Sequence, residues 1–364
     1  MTQILVKAPS NIAWVKYMGK RDAKLNLPEN ASLSMTLDSL CTWADVRVLE
    51  KTPESEIRWV AELPHVPREF RNNLRLPQLS ERGIGKVIAH VERTWAAAPE
   101  LLEPYQSRYD FQFVRPAGIE LRTANTFPEA SGIASSASAF AAVTLAAVSA
   151  AVDKIAHFKQ AWKNESELRK SFASISRQGS GSSCRSLDGP FVRWENDCVE
   201  SVVSELGELV HFVIVVSSEA KAISSSEAHL KVRSSPLWNG RPERANRRVV
   251  ELRAALMSGN WNAAVSLAWA DAWEMHSLFH TSVEPFTYWR PGSVEALNWF
   301  AENWMNREGA DLPLVTLDAG PNVHITVRKE FSESWKQKLE EKFGRAQILC
   351  DRMGAGAEII EVGA

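Results

Sequence analysis

Pro128-Glu-Ala-Ser-Gly-Ile-Ala-Ser-Ser-Ala137 runs without a break into Ser138-Ala-Phe-Ala-Ala-Val-Thr-Leu-Ala-Ala-Val-Ser-Ala150. Gly132 permits a tight turn. Ser135 and Ser136 stand where a helix begins, and there the free backbone N–H groups and the helix dipole favour an anion. Their hydroxyls can add donors to a phosphate or a ligand to magnesium. A plain serine cap on a buried helix accounts for the same residues equally well. The segment is not GxxxxGK[ST], and no such loop occurs in the chain. Ala134 to Val152 is rich in alanine and carries five serines or threonines, a poor membrane span and a good buried helix.

Outward from this helix, the 364 residues are enough for two domains sharing a sizeable core. A net charge of −2 supports neither nucleic acid nor a strongly basic protein as partner. Cys41, Cys184, Cys198 and Cys350 form no CxxC pair and no metal spacing, which favours a reducing, cytoplasmic setting. The eight histidines make no HExxH, so zinc gains no support. The N-terminus, MTQILVKAPSNIAW, lacks the pattern of a signal peptide. The fourteen tryptophans are expected in core and groove lining.

Strand-like alternation covers Ser32 to Leu49, and Arg115 to Arg122 and Leu209 to Val216 are further strand candidates. Glu243 to Ser258 reads as a helix stopped by Gly259, and Glu330 to Phe343 as a surface helix with one apolar stripe. Pro53 to Arg82 reads as a loop. There is no internal repeat. A composition change near Trp194 to Leu206 places the domain boundary, giving units 1–200 and 201–364.

Three more segments could carry chemistry. Gly179-Ser-Gly-Ser-Ser-Cys-Arg-Ser186 combines small residues, hydroxyls and Arg185, whose fork can grip a carboxylate or phosphate. A flexible linker would not end in Cys-Arg-Ser-Leu and enter Phe191-Val-Arg-Trp194, so the binding reading is favoured. Thr316-Leu-Asp-Ala-Gly-Pro-Asn-Val-His324 sets Asp318 at a strand end before a Gly-Pro turn, which suits a carboxylate aimed into a cleft or a turn satisfying its own backbone. Asn11-Ile-Ala-Trp-Val-Lys-Tyr-Met-Gly-Lys-Arg-Asp22 gathers Lys16, Lys20 and Arg21, and the apolar run around Lys16 sets it apart from a solvated cationic turn.

In this order, NIAWVKYMGKRD with LNLPENASLSMTL, NTFPEASGIASSASAFAA, GSGSSCRSL and LDAGPN resemble the diphosphomevalonate decarboxylase family of the GHMP kinase superfamily. Weaker similarity runs through Lys221-Ala-Ile-Ser-Ser-Ser226, Met275-His-Ser277 with Pro285-Phe-Thr-Tyr288, and Gly354-Ala-Gly356, so the resemblance spans nearly the whole chain. It implies an α+β fold of two domains, the GHMP kinase fold, with a left-handed βαβ unit, a deep cleft between the domains and often a homodimer. It implies phosphorylation of the 3-hydroxyl of mevalonate 5-diphosphate by ATP with Mg²⁺, then loss of phosphate and CO₂ to give isopentenyl diphosphate.

Carried onto these residues, the resemblance implies that Asp318 orients the 3-hydroxyl and takes its proton, and that Lys16 keeps Asp318 ionised. Arg185 would bind the substrate carboxylate, and Ser180 and Ser182 would line the substrate. Tyr17, Lys20 and Arg82 would hold its diphosphate. Gly132, Ser135 and Ser136 would cradle the ATP phosphates, with Asn125 and Ser225 near the nucleotide or substrate. The chain departs from the family pattern at Met18, where tryptophan is usual, and at Glu129 and Ser131. It departs again at Ser226-Glu-Ala-His229, where a Gly-Met ending is usual. The alternatives are a decarboxylase of mevalonate 5-phosphate, a mevalonate 3-kinase, and a non-catalytic nucleotide-binding protein of the same fold. A complete Lys–Arg–Asp set weighs against the last two.

Overall fold

The computed structural model describes residues 3–49, 56–127, 135–219, 222–304 and 307–363. The first part runs β1 (Gln3–Val15), β2 (Lys20–Asp22), β3 (Leu27–Pro28), β4 (Ser32–Leu49), β5 (Ile57–Trp59), α1 (Glu81–Tyr109), β6 (Gly118–Asn125), α2 (Ser135–Ala150), α3 (Ile155–Asn164), α4 (Ser166–Gly179), β7 (Phe191–Glu195) and β8 (Cys198–Ser201). The rest runs β9 (Leu209–Ile214), α5 (Ser225–Lys231), α6 (Arg241–Met257), α7 (Trp261–Thr281), α8 (Pro291–Asn303), β10 (Leu314–Thr316), β11 (Val323–Arg328), α9 (Ser332–Phe343), β12 (Ile348–Arg352) and β13 (Glu358–Gly363).

The long strands β1 and β4 pair antiparallel and anchor a sheet ordered β13-β1-β4-β6-β5, with β7 on β4 and β8 on β7. A register shift between Pro9 and Asn11 bends β1 just before its functional end. The helix α2 is apolar on every side and buried along most of its length, because β1 and β4 pack on one side of it and α1 and α4 on others. The indole of Trp95 on α1 donates to the carbonyl of Ala147 at 2.8 Å and fixes the two helices together.

The second sheet is ordered β10-β11-β9-β12. One of its cores joins Phe212, Ile325 and Val327 to Phe300 of α8 and to Trp335 and Leu339 of α9. A separate core spans both units, because Trp14, Val15 and Leu33 of the first sheet pack with Val213 of the second, Leu252 of α6 and Trp261 of α7. That shared core fixes how the ends of β1 and β10 face each other.

The strand expected over Ser32–Leu49 is β4 with the same bounds. The Arg115–Arg122 strand lies at Gly118–Asn125, and Leu209–Val216 ends at Ile214. The Glu243–Ser258 helix starts at Arg241, because Gly240 takes φ 74° and Pro242 falls in the first turn. Gly259 follows the helix with φ 66°. Glu330–Phe343 is α9 preceded by a 3₁₀ turn over Lys329–Phe331. The expected loop of Pro53–Arg82 needs correction: 53–55 lie outside the described residues, Ile57–Trp59 is a strand, and Arg82 is helical because Ser80 caps α1, accepting from the N–H of Gly83 at 3.3 Å. A cut at residue 200 falls within β8, and β13 brings the chain's end back to pair with β1, so neither Ser201 nor 358–363 separates from the first sheet.

Candidate active site

Lys16 follows the last residue of β1, and its ammonium is buried in the cleft between the units at 2% exposure. Nζ donates to the carbonyl of Ala13 at 2.5 Å and to Oδ1 of Asp318 at 2.8 Å. Burial pulls the lysine's pKa down, Asp318 and then Asp271 oppose this, and Arg185 adds to it. Asp318 lies two residues beyond β10 and is a quarter exposed, so its carboxylate serves a buried cation while still reaching the cleft. Behind it, Nε2 of His276 on α7 donates to the Asp318 carbonyl at 3.0 Å.

The backbone at Lys16 is held as well. Its N–H donates to Oδ2 of Asp271 at 2.7 Å, and its carbonyl accepts from Asn30 at 2.8 Å. Asp271 is fully buried and tied to Arg241 at 2.7 Å, so the turn after β1 is fixed to both α6 and α7.

Arg185 comes from the 3₁₀ turn Gly181–Ser186 that continues α4. It is 3% exposed. One nitrogen donates to the hydroxyl of Ser32, Nε reaches Oδ1 of Asn11 at 3.4 Å, and the guanidinium lies 5.5 Å over the ring of Trp194. Asn11 also donates to the carbonyl of Ser182 at 3.2 Å and to Ser186 at 2.8 Å, which fastens the turn to β1. Burial lowers the arginine's pKa, and Asp318 opposes that shift. Lys16, Asp318 and Arg185 therefore sense one another's charge.

The cleft around these three has a volume of about 290 Å³. Among the described residues four cations line it, Lys16, Lys20, Lys86 and Arg185, against the single carboxylate of Asp318, so it selects anions. Burial and then the charge of Lys86 lower the pKa of Lys20, an unfavourable pairing that a bound anion relieves. Tyr17 stacks between Trp194 and His229, at 4.6 and 4.2 Å, and its hydroxyl has no partner among the described residues. At α2's start, the hydroxyls of Ser136 and Ser180 are 3.1 Å apart. A larger hollow of about 670 Å³ lies near Asn260, Trp269 and Arg307, but it gathers no buried titratable side chain.

Gly181 touches the ring of Tyr17 so closely that a Cβ there would lie 2.7 Å from Cε1. Gly181→Ala is therefore expected to push Tyr17 off its stack and raise KM for the anionic substrate several-fold. Steady-state kinetics checks this, and an unchanged KM would show that Tyr17 does not shape the pocket.

Residues 8–203 match the diphosphomevalonate decarboxylase-like N-terminal domain, and residues 211–359 the mevalonate 5-diphosphate decarboxylase C-terminal domain. The chain belongs to the diphosphomevalonate decarboxylase family. It is 31% identical to the diphosphomevalonate decarboxylase of Debaryomyces hansenii over 337 residues, 89% of this chain and 79% of that one. The mevalonate diphosphate decarboxylase of Staphylococcus aureus superposes with a TM-score of 0.77 at 25% identity, covering 99% of both chains. A chain solved in complex with MVAPP, AMPPCP and magnesium has a TM-score of 0.71 at 26% identity, with 99% of this chain and 100% of that one covered. The two-domain α+β GHMP kinase fold follows from the same neighbours.

Of the residues expected to act, Lys16, Tyr17, Lys20, Ser136, Ser180, Ser182, Arg185, Ser225 and Asp318 line the one cleft. Ser135 is the first residue of α2. Gly132 lies outside the described residues, as do Glu129, Ser131 and Lys221. Two expectations are corrected by position. Arg82 is exposed at the first turn of α1 and does not line the cleft, whereas Lys86, one helical turn further in, does. Asn125 is buried, its side-chain oxygen accepting from Thr42 at 2.7 Å within the sheet, and it does not line the cleft either. Lys86 and His229 were not among the expected residues, nor were the supporting Asn11, Asn30, Asp271 and His276. Lys86 had a signal, the four-residue step from Arg82 on a helix. His229 had none, because its partners Gly19 and Tyr17 are distant in sequence.

Proposed function

We propose that this protein decarboxylates mevalonate 5-diphosphate with ATP, giving isopentenyl diphosphate, ADP, phosphate and CO₂. The observation that carries this reading is the buried Lys16–Asp318 pair at 2.8 Å in a cationic cleft shared with Arg185. Asp318 orients the 3-hydroxyl and accepts its proton as oxygen attacks the γ-phosphoryl group of ATP. Lys16 pairs with Asp318 and stabilises charge on the group in transfer. Arg185 grips the substrate carboxylate until CO₂ leaves and the 3-phosphate departs with its oxygen. Tyr17, Lys20 and Ser182 hold the diphosphate, with Lys86 taking the place expected for Arg82.

Ser135, Ser136 and Ser225 serve the nucleotide. Among the described residues no three acidic, histidine or cysteine side chains cluster as a metal site. That fits a magnesium ion held largely by ATP oxygens and water, with serine hydroxyls supplying the protein's share. Bound there, the ion neutralises phosphate charge. We also propose that the protein works in the cytoplasm as a homodimer. Among the described residues no helix is long and apolar enough to cross a membrane, and all four cysteines are free. Light scattering at working concentration tests the dimer.

The catalytic test is coupled. The protein is incubated with Mg²⁺, ATP and mevalonate 5-diphosphate, and ADP and isopentenyl diphosphate are followed together. Equal formation of both is expected. ADP alone would identify a 3-kinase, and neither product would overturn the reading in favour of the monophosphate substrate or a binding protein.

A further inference from the structure

His229 stands in the first helix after the domain junction, where the family pattern ends in Gly-Met and this chain reads Ala228-His229. The ring is 7% exposed and lines the cleft. Its Nδ1 accepts from the backbone N–H of Gly19 at 2.9 Å, so in the neutral ring the proton sits on Nε2. Its ring packs against that of Tyr17, tilted by 39° with centroids 4.2 Å apart. Among the described residues no group accepts from Nε2, which is absent from the buried atoms left without partners. The ring is thus clamped on one edge and one face, and its remaining polar edge meets the cleft. Burial first, and the charge of Lys20 second, push its pKa down to about 3, so the imidazole is neutral and Nε2 is a donor throughout the physiological range.

The surroundings say what that donor meets. Lys20 interacts with His229 electrostatically, and both line the cleft with Lys86, Tyr17 and Ser182. The end of the cleft that holds His229 is cationic, and among the described residues Asp318 is the single lining carboxylate. A fixed N–H among ammonium groups suits a phosphate oxygen. We propose that His229 is a phosphate ligand of this enzyme, donating from Nε2 to the diphosphate of the substrate and setting its affinity. The proposal rests on the reading of the cleft as a diphosphate-substrate site. The alternative source of the same oxygens is ATP, and the kinetics separate the two.

His229→Asn keeps an acceptor for the Gly19 N–H but is too short to carry the distal donor. His229→Gln restores a donor near the position of Nε2, and His229→Met supplies the family's apolar residue. Loss of one hydrogen bond to a charged phosphate is expected to raise KM for mevalonate 5-diphosphate about tenfold in the Asn and Met variants. In both, kcat and KM for ATP stay within about threefold, and the Gln variant recovers most of the lost affinity. An unchanged substrate KM in the Asn and Met variants would overturn the assignment. So would a Gln variant no better than Met, which would make the ring a packing element for Tyr17, or a rise confined to KM for ATP. Calorimetry with inorganic pyrophosphate supplies an arm independent of turnover: the wild-type protein is expected to bind it about tenfold more tightly than His229→Asn, and equal binding would also overturn the proposal. If the wild-type protein fails to turn over mevalonate 5-diphosphate, the catalytic reading falls by itself, and the pyrophosphate comparison still decides the role of His229.

Discussion

Asp318→Asn is expected to lower kcat about a thousandfold while the protein remains folded, the scale for removing a positioned general base. The amide keeps the shape of the carboxylate and can still accept from Lys16, which now makes its 2.8 Å contact to Asp318 without the opposing charge. What is lost is the capacity proposed for Asp318 to take the hydroxyl proton, and the charge that raises the pKa of Lys16. The sign of the second effect is fixed by the structure. Burial already lowers the pKa of Lys16 and Asp318 is the foremost influence raising it, so removing that charge lowers it further. The weaker hold on the Lys16 proton adds to the loss of the base, and both effects fall on kcat. The folded state loses less, since the amide oxygen still accepts from the buried Lys16 ammonium. ADP release gives kcat and a thermal melt gives the stability. A kcat within tenfold of wild type would remove Asp318 from the chemistry.

The residues that bring chemistry to the cleft were legible because they sit in short, dense segments. Arg185 lies in a run of small and hydroxyl residues, Lys16 in an apolar run and Asp318 before a Gly-Pro turn, and the structure places all three on the wall of one cleft. The scaffold was legible where one period dominates. Ser32–Leu49 alternates, and Trp335 and Leu339 repeat at four residues in α9. The helix α1 went unread even though Val87, Val91, Trp95, Ala98 and Leu102 follow a helical period. Gly83, Gly85, Pro99 and Pro104 interrupt that signal, and what overrides them is packing against α2 and α4. The wiring behind the site was not legible at all. Asp271 contacts Lys16 across 255 residues and Asn11 contacts Ser186 across 175, and no local pattern marks either end of such a pair.

Arg185→Lys is expected to separate the two halves of the reaction. The guanidinium is held on three sides, by the hydroxyl of Ser32, by Asn11 at 3.4 Å and by the face of Trp194 at 5.5 Å. Among the described residues nothing accepts from its remaining terminal nitrogen, which leaves that N–H edge for a carboxylate in the cleft. An ammonium in this place is a point charge and cannot satisfy Asn11 and Ser32 while presenting a planar fork to the substrate. The loss of about two charge-assisted hydrogen bonds is expected to lower isopentenyl diphosphate formation about a hundredfold. In the proposed reaction phosphorylation rests on Asp318 and Lys16, whose own 2.8 Å contact does not involve Arg185, so it is expected to fall far less. ADP should therefore outrun the alkene product in the variant, whereas the wild type makes them in equal amounts. Measuring both products in one time course decides the matter. If they fall together and remain equal, Arg185 positions the substrate for both steps. If neither falls, its three internal contacts are its whole role, and the carboxylate is bound by another group.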